Sequence, residues 1–246
     1  MGLTSRSRCP LCGSGAHPWI ALPSRDTAAI VGLPSPVDPD DPASAVEARL
    51  FDRCTDCAAG IEQGVEIDMA RELGLVTTHD DGDERIVIAP NRASWQAGLG
   101  GEGWAAIAGW PAHLLLTPRA TTLLLERNGY EADKPAFPPW GSNQRWMWQT
   151  VLNGITLHTN FATDVLAGRL RPAGAPRGRL AFFADAIASA LATPLIILFT
   201  VLVEALATLV GRGGRIQVRG RRSAPGQTWR QADSASSVIR SATSAA

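Results

Sequence analysis

Two cysteine pairs with C-x2-C spacing place the tightest constraint on how this chain can fold. The pairs are Cys9 with Cys12 and Cys54 with Cys57. Two cysteines three positions apart can direct both thiolates at one ion from a single turn, and two such turns complete a tetrahedral sulfur shell. Gly13 suits such a turn because glycine tolerates positive φ, whereas Ala58 after the second pair is less typical. The sequence predicts a structural zinc ion on these four cysteines, because four thiolates leave no open catalytic position.

The redox compartment supports a metal over disulfides. Residues 1–8 are polar and do not form the charged-then-apolar pattern of a secretory signal, which predicts a cytoplasmic protein. Cysteine pairs in the cytoplasm more often hold metals than form disulfides. Two alternatives stay open: unmetallated cysteines, and a redox pair, although no thioredoxin-like strand and helix surround either pair. The long interval between the pairs contains the proline-rich residues 34–42, which indicate a loop.

Composition excludes some classes of function. The chain has 246 residues, 45% of them hydrophobic, which is enough for one or two domains with a real core. Because 23 basic residues balance 23 acidic ones, no global field attracts nucleic acid, and we expect no nucleic-acid partner.

A helix, a buried strand and a second helix follow the cysteines. Apolar spacing predicts a helix over residues 68–74 that ends at Gly74, and the apolar run 86–89 before Pro90 is typical of a buried strand. Residues 91–110 are rich in glycine and tryptophan and indicate a loop. A helix over residues 118–128 is marked by a threonine N-cap, proline at its first position and a terminal Asn-Gly.

Several segments in this order resemble one enzyme family. The segments are residues 84–97, 103–104, 111–114, 117–120, 124–127 and 129–130. Together they resemble class I S-adenosylmethionine-dependent methyltransferases of the zinc-ribbon-bearing type. The resemblance covers residues 72–221 and implies the family's fifth strand, the following helix and the sixth strand. Residues 146–153 are similar to a segment that opens a helical insertion, and residues 213–219 resemble the seventh strand.

The cofactor-binding half of that family has no counterpart here. The family binds its cofactor through a glycine-rich turn after its first strand and an acidic residue at the end of its second. Residues 58–85 are too few for several strand–helix crossovers of roughly 30 residues each. Residues 98–103 match the G-x-G-x-x-G pattern, but no apolar strand precedes them. Binding of S-adenosylmethionine by this chain alone is therefore not expected.

His113 is the candidate catalytic residue that the resemblance brings forward. A histidine beside an acceptor could remove a proton from its hydroxyl group. The other interpretation is a histidine satisfied within the structure. Leu115 and Leu116 stand where the family often has aromatic or histidine residues, so an inherited acceptor pocket is not indicated.

A long apolar segment is the second informative feature. Residues 186–203 carry no charge and would reach roughly 27 Å as a helix, close to the thickness of a bilayer core. Pro194 lies near its middle and predicts two helices, 180–193 and 195–210. Arginines flank both ends, which favours a hairpin with both ends on the cytoplasmic face. The alternatives are a buried helical pair or oligomer interface, and a full span.

These observations combine into a predicted architecture. We predict an α+β protein with a zinc-ribbon-like module over residues 1–64 and a truncated Rossmann-like methyltransferase remnant over residues 65–222. The remnant would have about three strands, near 85–89, 130–136 and 215–219, and the apolar helical hairpin 180–210. Residues 223–246 are predicted to be disordered. An exposed sheet edge would invite a protein partner or a second copy of the chain.

Two classes of function follow. The first is a non-catalytic methyltransferase-like protein with structural zinc, peripheral or monotopic on the inner face of the cell membrane. The second is participation in methyl transfer to a glycan or lipid-linked acceptor, as a subunit or a divergent enzyme. Unrelated roles and a truncated reading frame complete the alternatives.

Overall fold

The fold combines two antiparallel sheets with helices. The computed structural model describes residues 8–23, 48–107, 110–139, 141–158, 160–168, 170, 172 and 176–223. Within these ranges lie two four-stranded sheets and six α-helices, so the predicted α+β class is confirmed. The predicted loop over 34–42 and all but the first residue of the predicted disordered tail lie outside the described residues.

Sheet 1 lies next to the two cysteine pairs. Its strands are β1 (Ala16–Pro23), β2 (Ala48–Cys54), β3 (Gly60–Glu62) and β6 (Leu114–Leu115), paired in that order and all antiparallel. The last strand comes from the predicted methyltransferase-like segment. That segment therefore completes the sheet of the predicted zinc-ribbon-like module.

Sheet 2 contains the three strands that were expected from the resemblance. It is formed by β4 (Thr77–Asp80), β5 (Glu84–Pro90), β7 (Tyr130–Ala132) and β8 (Arg215–Arg222), in the order β4-β5-β8-β7. Because β8 is antiparallel to both neighbours, β5 and β7 run parallel on either side of it.

Sheet 2 also corrects two predictions. The strand expected over 130–136 ends at Ala132, after which only an isolated bridge joins Ala136 to Gln217. Sequence reasoning missed β4, which pairs with β5 through a turn at residues 81–83, because its polar sequence lacks apolar alternation.

Two helices pack on one face of sheet 2. Helix α1 (Met69–Val76) is capped by Asp68 and passes Gly74, where the sequence had predicted its end. After the short α2 (Trp95–Gly100), α3 (Pro118–Arg127) begins at its predicted cap, Thr117, and ends before Gly129, whose φ is 82°. Both α1 and α3 contribute to a core that contains Val87 and Val218 from sheet 2.

Three helices fill the segment between β7 and β8. They are α4 (Ser142–Asn153), α5 (Phe161–Leu166) and α6 (Pro176–Leu209), and α6 packs mainly on α4. The predicted hairpin is wrong, because α6 is one helix of 34 residues that continues through Pro194. Proline removes one helical hydrogen bond, whereas a break in an apolar segment would leave several terminal backbone groups without partners.

Candidate metal centre and surrounding polar contacts

The four cysteines meet in one cluster at the end of β2, whose last residue is Cys54. Their sulfur atoms all lie within 4.8 Å of one another. The Cys9 and Cys57 sulfurs are 3.6 Å apart, and those of Cys12 and Cys54 are 3.4 Å apart. Only Cys12 is partly exposed, and the other three are buried. The two predicted pairs therefore form one site, which could hold a metal ion.

Each pair sits on a tight turn. In the first turn the amide of Gly13, at φ 80°, donates to the carbonyl of Cys9 at 2.8 Å. In the second turn the amide of Asp56 donates to the Cys54 sulfur at 3.4 Å. Ala58 there has φ 55°, the left-handed conformation that glycine adopts more easily. The sequence had marked this turn as the less typical one.

Sulfur chemistry fits a thiophilic metal. A tetrahedral zinc–thiolate site with bonds near 2.3 Å separates its sulfurs by about 3.8 Å, so the two close pairs need little movement to reach that geometry. Without a metal, the hydrogen bond from Cys57 lowers the pKa of Cys9 to about 5, and the same contact raises the pKa of Cys57. Burial raises the pKa of Cys54. Binding of a metal ion would displace the proton that Cys9 and Cys57 share in their hydrogen bond, and it would give all four sulfurs a ligand bond to one ion.

Helix α3 holds both cysteine turns. The Thr117 hydroxyl donates to the carbonyl of Cys57 at 2.7 Å and caps α3 by accepting from the amide of Ala120. At the other end of the helix, Arg127 donates to the carbonyl of Leu11 in the first turn at 3.0 Å. The metal centre is thus fixed to the remainder of the molecule at two points.

His113 lies in an ion-pair cluster on sheet 1. Its Nδ1 is 2.6 Å from Glu62, which also receives two hydrogen bonds from Arg49 at 2.6 and 2.8 Å. The backbone amide of His113 donates to the buried carboxylate of Glu72. Burial alone would raise the pKa of Glu62, but Arg49 and His113 lower it overall. These contacts give His113 a structural role in joining β3, β6 and α1.

Sequence reasoning missed the partners of His113. Glu62 and Arg49 carry no motif, and each lies far from His113 along the chain. Only the antiparallel pairing of β2 with β3 brings Arg49 and Glu62 to the same side of sheet 1.

The two carboxylates that bound the apolar segment face inward. Asp185 accepts from the backbone amides of Leu157 and His158 and from His158 Nδ1 at 2.6 Å. Glu204 accepts from Gln96, from Asn143 and from the amide of Gly214, all between 2.7 and 2.8 Å. Both carboxylates are almost fully buried. They anchor α6 to the body of the protein near each of its ends.

No protein-family model, curated protein or solved structure matches this chain. The methyltransferase resemblance therefore stays a prediction that rests on the order of its motifs. The glycine-rich residues 98–103 lie in α2 and a 3-10 turn, and residues 91–94 rather than a strand precede α2.

Proposed function

We propose that this chain is a zinc-stabilised, non-catalytic scaffold protein that works at a membrane surface, with α6 as its membrane-facing element. The observation that supports this most is that α6 exposes its apolar residues and buries its polar ones. Residues 178–209 form a helix long and apolar enough to cross a membrane, and only 11% of its most apolar window is buried. A core helix of a soluble domain would instead bury most of that window.

The outer face of α6 is an apolar stripe. Its exposed residues recur every three, four or seven positions, which keeps them on one side of the helix. They include Leu180, Ile187, Leu191, Leu195, Leu198, Leu202, Leu206 and Leu209, each more than half exposed. A contiguous apolar surface of this size calls for an apolar neighbour.

The inner face of α6 carries its polar residues. Asp185, Ser189, Thr200 and Glu204 are buried against the body of the protein. Ionisable residues in membrane-embedded helices likewise turn inward and pair with protein groups. A water-soluble helix has the opposite distribution.

The two anchors support a position of α6 in the plane of the membrane rather than across it. Asn143 at the start of α4 binds Glu204, and Leu157 and His158, just after α4, bind Asp185. Helix α4 therefore runs antiparallel along α6, with the exposed Arg145 on its surface. A spanning α6 would carry α4 and that charge into the bilayer. We infer an interfacial helix on the cytoplasmic face, with its stripe among the acyl chains.

The missing cofactor half supports a non-catalytic role. A donor site needs groups that position the methyl donor against its acceptor, and residues 58–85 hold only β3, α1, β4, the first two residues of β5 and the segments that connect them. The alternative is a partner that supplies the missing half and restores methyl transfer. Strand β4 weakens this alternative, because it already pairs with the edge of β5 to which further strands would have to be added.

Flotation with liposomes tests the membrane proposal. Leu191→Gln combined with Leu198→Gln should lower partitioning of the zinc-loaded full chain into vesicles by roughly a hundredfold or more, since each leucine that enters the acyl chains contributes about 1.5–3 kcal/mol. The control is Leu50→Gln with Leu75→Gln, two exposed leucines outside α6, which should partition like the parent protein. Equal partitioning of all three proteins would contradict an interfacial α6.

Calorimetry with S-adenosylmethionine tests the non-catalytic assignment. We expect no binding up to millimolar cofactor by the zinc-loaded protein in mild detergent. Saturable micromolar binding at one site per chain would overturn it and restore the methyl-transfer alternative.

The metal is tested by the amount of each metal that stays bound after equilibrium dialysis. The parent protein should retain one zinc ion per chain, and a Cys9→Ser and Cys57→Ser double variant should lose it.

A further inference from the structure

Sheet 1 has a second face that the metal centre does not use. Successive residues of β2 point to opposite faces of the sheet, so Arg49, Phe51 and Arg53 lie on the side away from Cys54. We call this side the arginine–aromatic face, and it comprises Arg49, Phe51, Arg53, Glu62 and Leu115 together with Trp19 and Arg92, which pack over it.

The floor of the arginine–aromatic face is apolar. Phe51 and Leu115 are buried and form a cluster of their own, against which Trp19, Ile107 and Trp110 pack. Above this floor, the Arg49 guanidinium lies 5.0 Å from the Phe51 ring, and its charge is balanced by Glu62 at 2.6 Å. Arg49 therefore contributes no net charge to the face.

Arg92 differs from Arg49 because its charge is not balanced. Its guanidinium lies 3.5 Å from the centre of the Trp19 ring. Among the described residues no carboxylate pairs with the Arg92 side chain, and its buried Nε has no hydrogen-bond partner. Burial, and then the nearby positive charge of Arg53, lower the pKa of Arg92 to about 10. The face thus holds the half-buried cation of Arg92 near a second cation, the exposed Arg53.

An unbalanced guanidinium at such a position costs stability unless something compensates it. Stacking on Trp19 compensates in part, since tryptophan is the best aromatic partner for a cation. Stacking also fixes the guanidinium plane, so its two terminal Nη groups are held in one orientation toward an anion. A guanidinium edge matches two oxygens of a phosphate in a bidentate arrangement.

We propose that Arg92, stacked on the Trp19 ring, and the neighbouring Arg53 form a binding site for a phosphate group, either free in solution or on a lipid headgroup. Two guanidinium charges match the charge of about −2 that a phosphate monoester carries near neutral pH. The site does not depend on membrane attachment through α6, so the two proposals can fail separately.

Thermal unfolding with inorganic phosphate tests this site, using the zinc-loaded full chain in uncharged detergent. At phosphate about a hundredfold above the dissociation constant, the midpoint of the parent protein should rise by about 5–10 °C. Arg92→Gln should reduce this rise to about half or less, as at least tenfold weaker binding requires. In phosphate-free buffer its midpoint should equal or exceed that of the parent, because an unbalanced charge has been removed. An arginine with a purely structural role would give the opposite result, a lower midpoint in both buffers.

Calorimetry measures the affinity and identifies the contributors. Arg92→Gln and Arg53→Gln should each weaken phosphate binding by at least tenfold. Arg92→Lys keeps the charge but loses the planar fork and should recover only part of the affinity. Arg222→Gln, at the end of β8 in sheet 2, is the matched control and should bind within twofold of the parent. Absence of saturable phosphate binding, or equal binding by Arg92→Gln and the parent, would overturn the proposal.

Vesicles distinguish the source of the phosphate. Phosphatidic acid carries a phosphate monoester as its headgroup. If the protein binds phosphatidic acid vesicles more strongly than phosphatidylcholine vesicles, and Arg92→Gln abolishes this excess, the site is assigned to a lipid headgroup. If Arg92→Gln loses inorganic phosphate but keeps the same preference among vesicles, the ligand is a soluble phosphate compound.

Discussion

Ala58 is the residue whose backbone conformation fits its side chain least well in the metal centre. Its φ of 55° lies in the left-handed region, which costs roughly 1–2 kcal/mol for a residue with a Cβ atom. Ala58→Gly should therefore raise the free energy of unfolding of the zinc-loaded protein by about 0.5–1 kcal/mol, after the greater chain entropy of glycine is subtracted. Urea denaturation measures this change.

Ala59→Gly provides the control at the next position. Ala59 is fully buried and its φ is not positive, so the same substitution should lower stability there. If Ala58→Gly also lowered stability, the left-handed turn would not carry the strain that we assign to it.

Glu62 makes a second prediction at this scale. Glu62→Gln removes the charge that binds Arg49 and His113 and should cost roughly 1.5–3 kcal/mol. The pKa of Glu62 is lowered in the folded state, so its contribution is present above the unfolded value of about 4.3 and is lost as pH falls through the lower folded value. The difference in midpoint between the parent and Glu62→Gln should therefore shrink below about pH 4.

The exposed Glu66 is the matched control for this measurement. Glu66→Gln should follow the parent at every pH. A constant difference between the parent and Glu62→Gln down to pH 2 would contradict the charge-based explanation.

The residue scale also shows what sequence alone can predict. A C-x2-C pair encodes its own local geometry, so the four cysteines were found without a fold. His113 was found as a residue, but its partners were not, because Glu62 and Arg49 reach it only through strand pairing. His158 and Asp185 had no recognisable pattern for the same reason.

At the scale of elements, α3 connects the two cysteine turns to sheet 2. Thr117→Val removes the N-cap of α3 and the hydrogen bond to the Cys57 carbonyl. It should cost about 1 kcal/mol and weaken zinc binding severalfold, since groups that orient metal-binding segments affect affinity. Competition with a chromogenic chelator measures the zinc affinity.

Thr122 offers a control on the same helix. Its hydroxyl donates only to the carbonyl of Pro118, within α3. Thr122→Val should leave zinc affinity unchanged. If both variants weakened zinc binding equally, helix stability rather than the contact to the cysteine turn would explain the effect.

Helix boundaries were predicted correctly where neighbouring residues determine them and wrongly where tertiary packing determines them. In α3, Thr117 marks the N-cap and Gly129 follows the end, and both can be recognised from the adjacent sequence. In α6, Pro194 suggested a break, but the anchors at Asp185 and Glu204 hold both halves against α4 in one line. Those anchors use groups from Gln96 to Gly214, which no window of sequence brings together.

At the scale of the whole molecule, the two units predicted from the sequence share one core. A single cluster of buried residues joins Cys9, Leu11 and Cys57 of the metal centre to Val87 and Leu124 of sheet 2 and α3. Strand β6 pairs with β3 across the predicted boundary at residue 64. The boundary followed from a change in motif, and motifs do not report which apolar faces meet.

This shared core predicts that zinc removal unfolds more than the cysteine turns. Chelation leaves four sulfurs without their ion, three of them buried, and loosens the neighbouring Leu11, so that α3 loses its contacts at both ends. We expect the unfolding midpoint to fall by about 10 °C, as for the loss of a ligand bound a thousandfold above its dissociation constant. Hydrogen exchange should show the amides of α3 and β8 losing protection together with those of β2 and β3, because one cooperative core connects them. If α3 and β8 kept full protection while β2 and β3 exchanged freely, the cysteine module would be an independent folding unit and the shared core would contribute little to cooperativity.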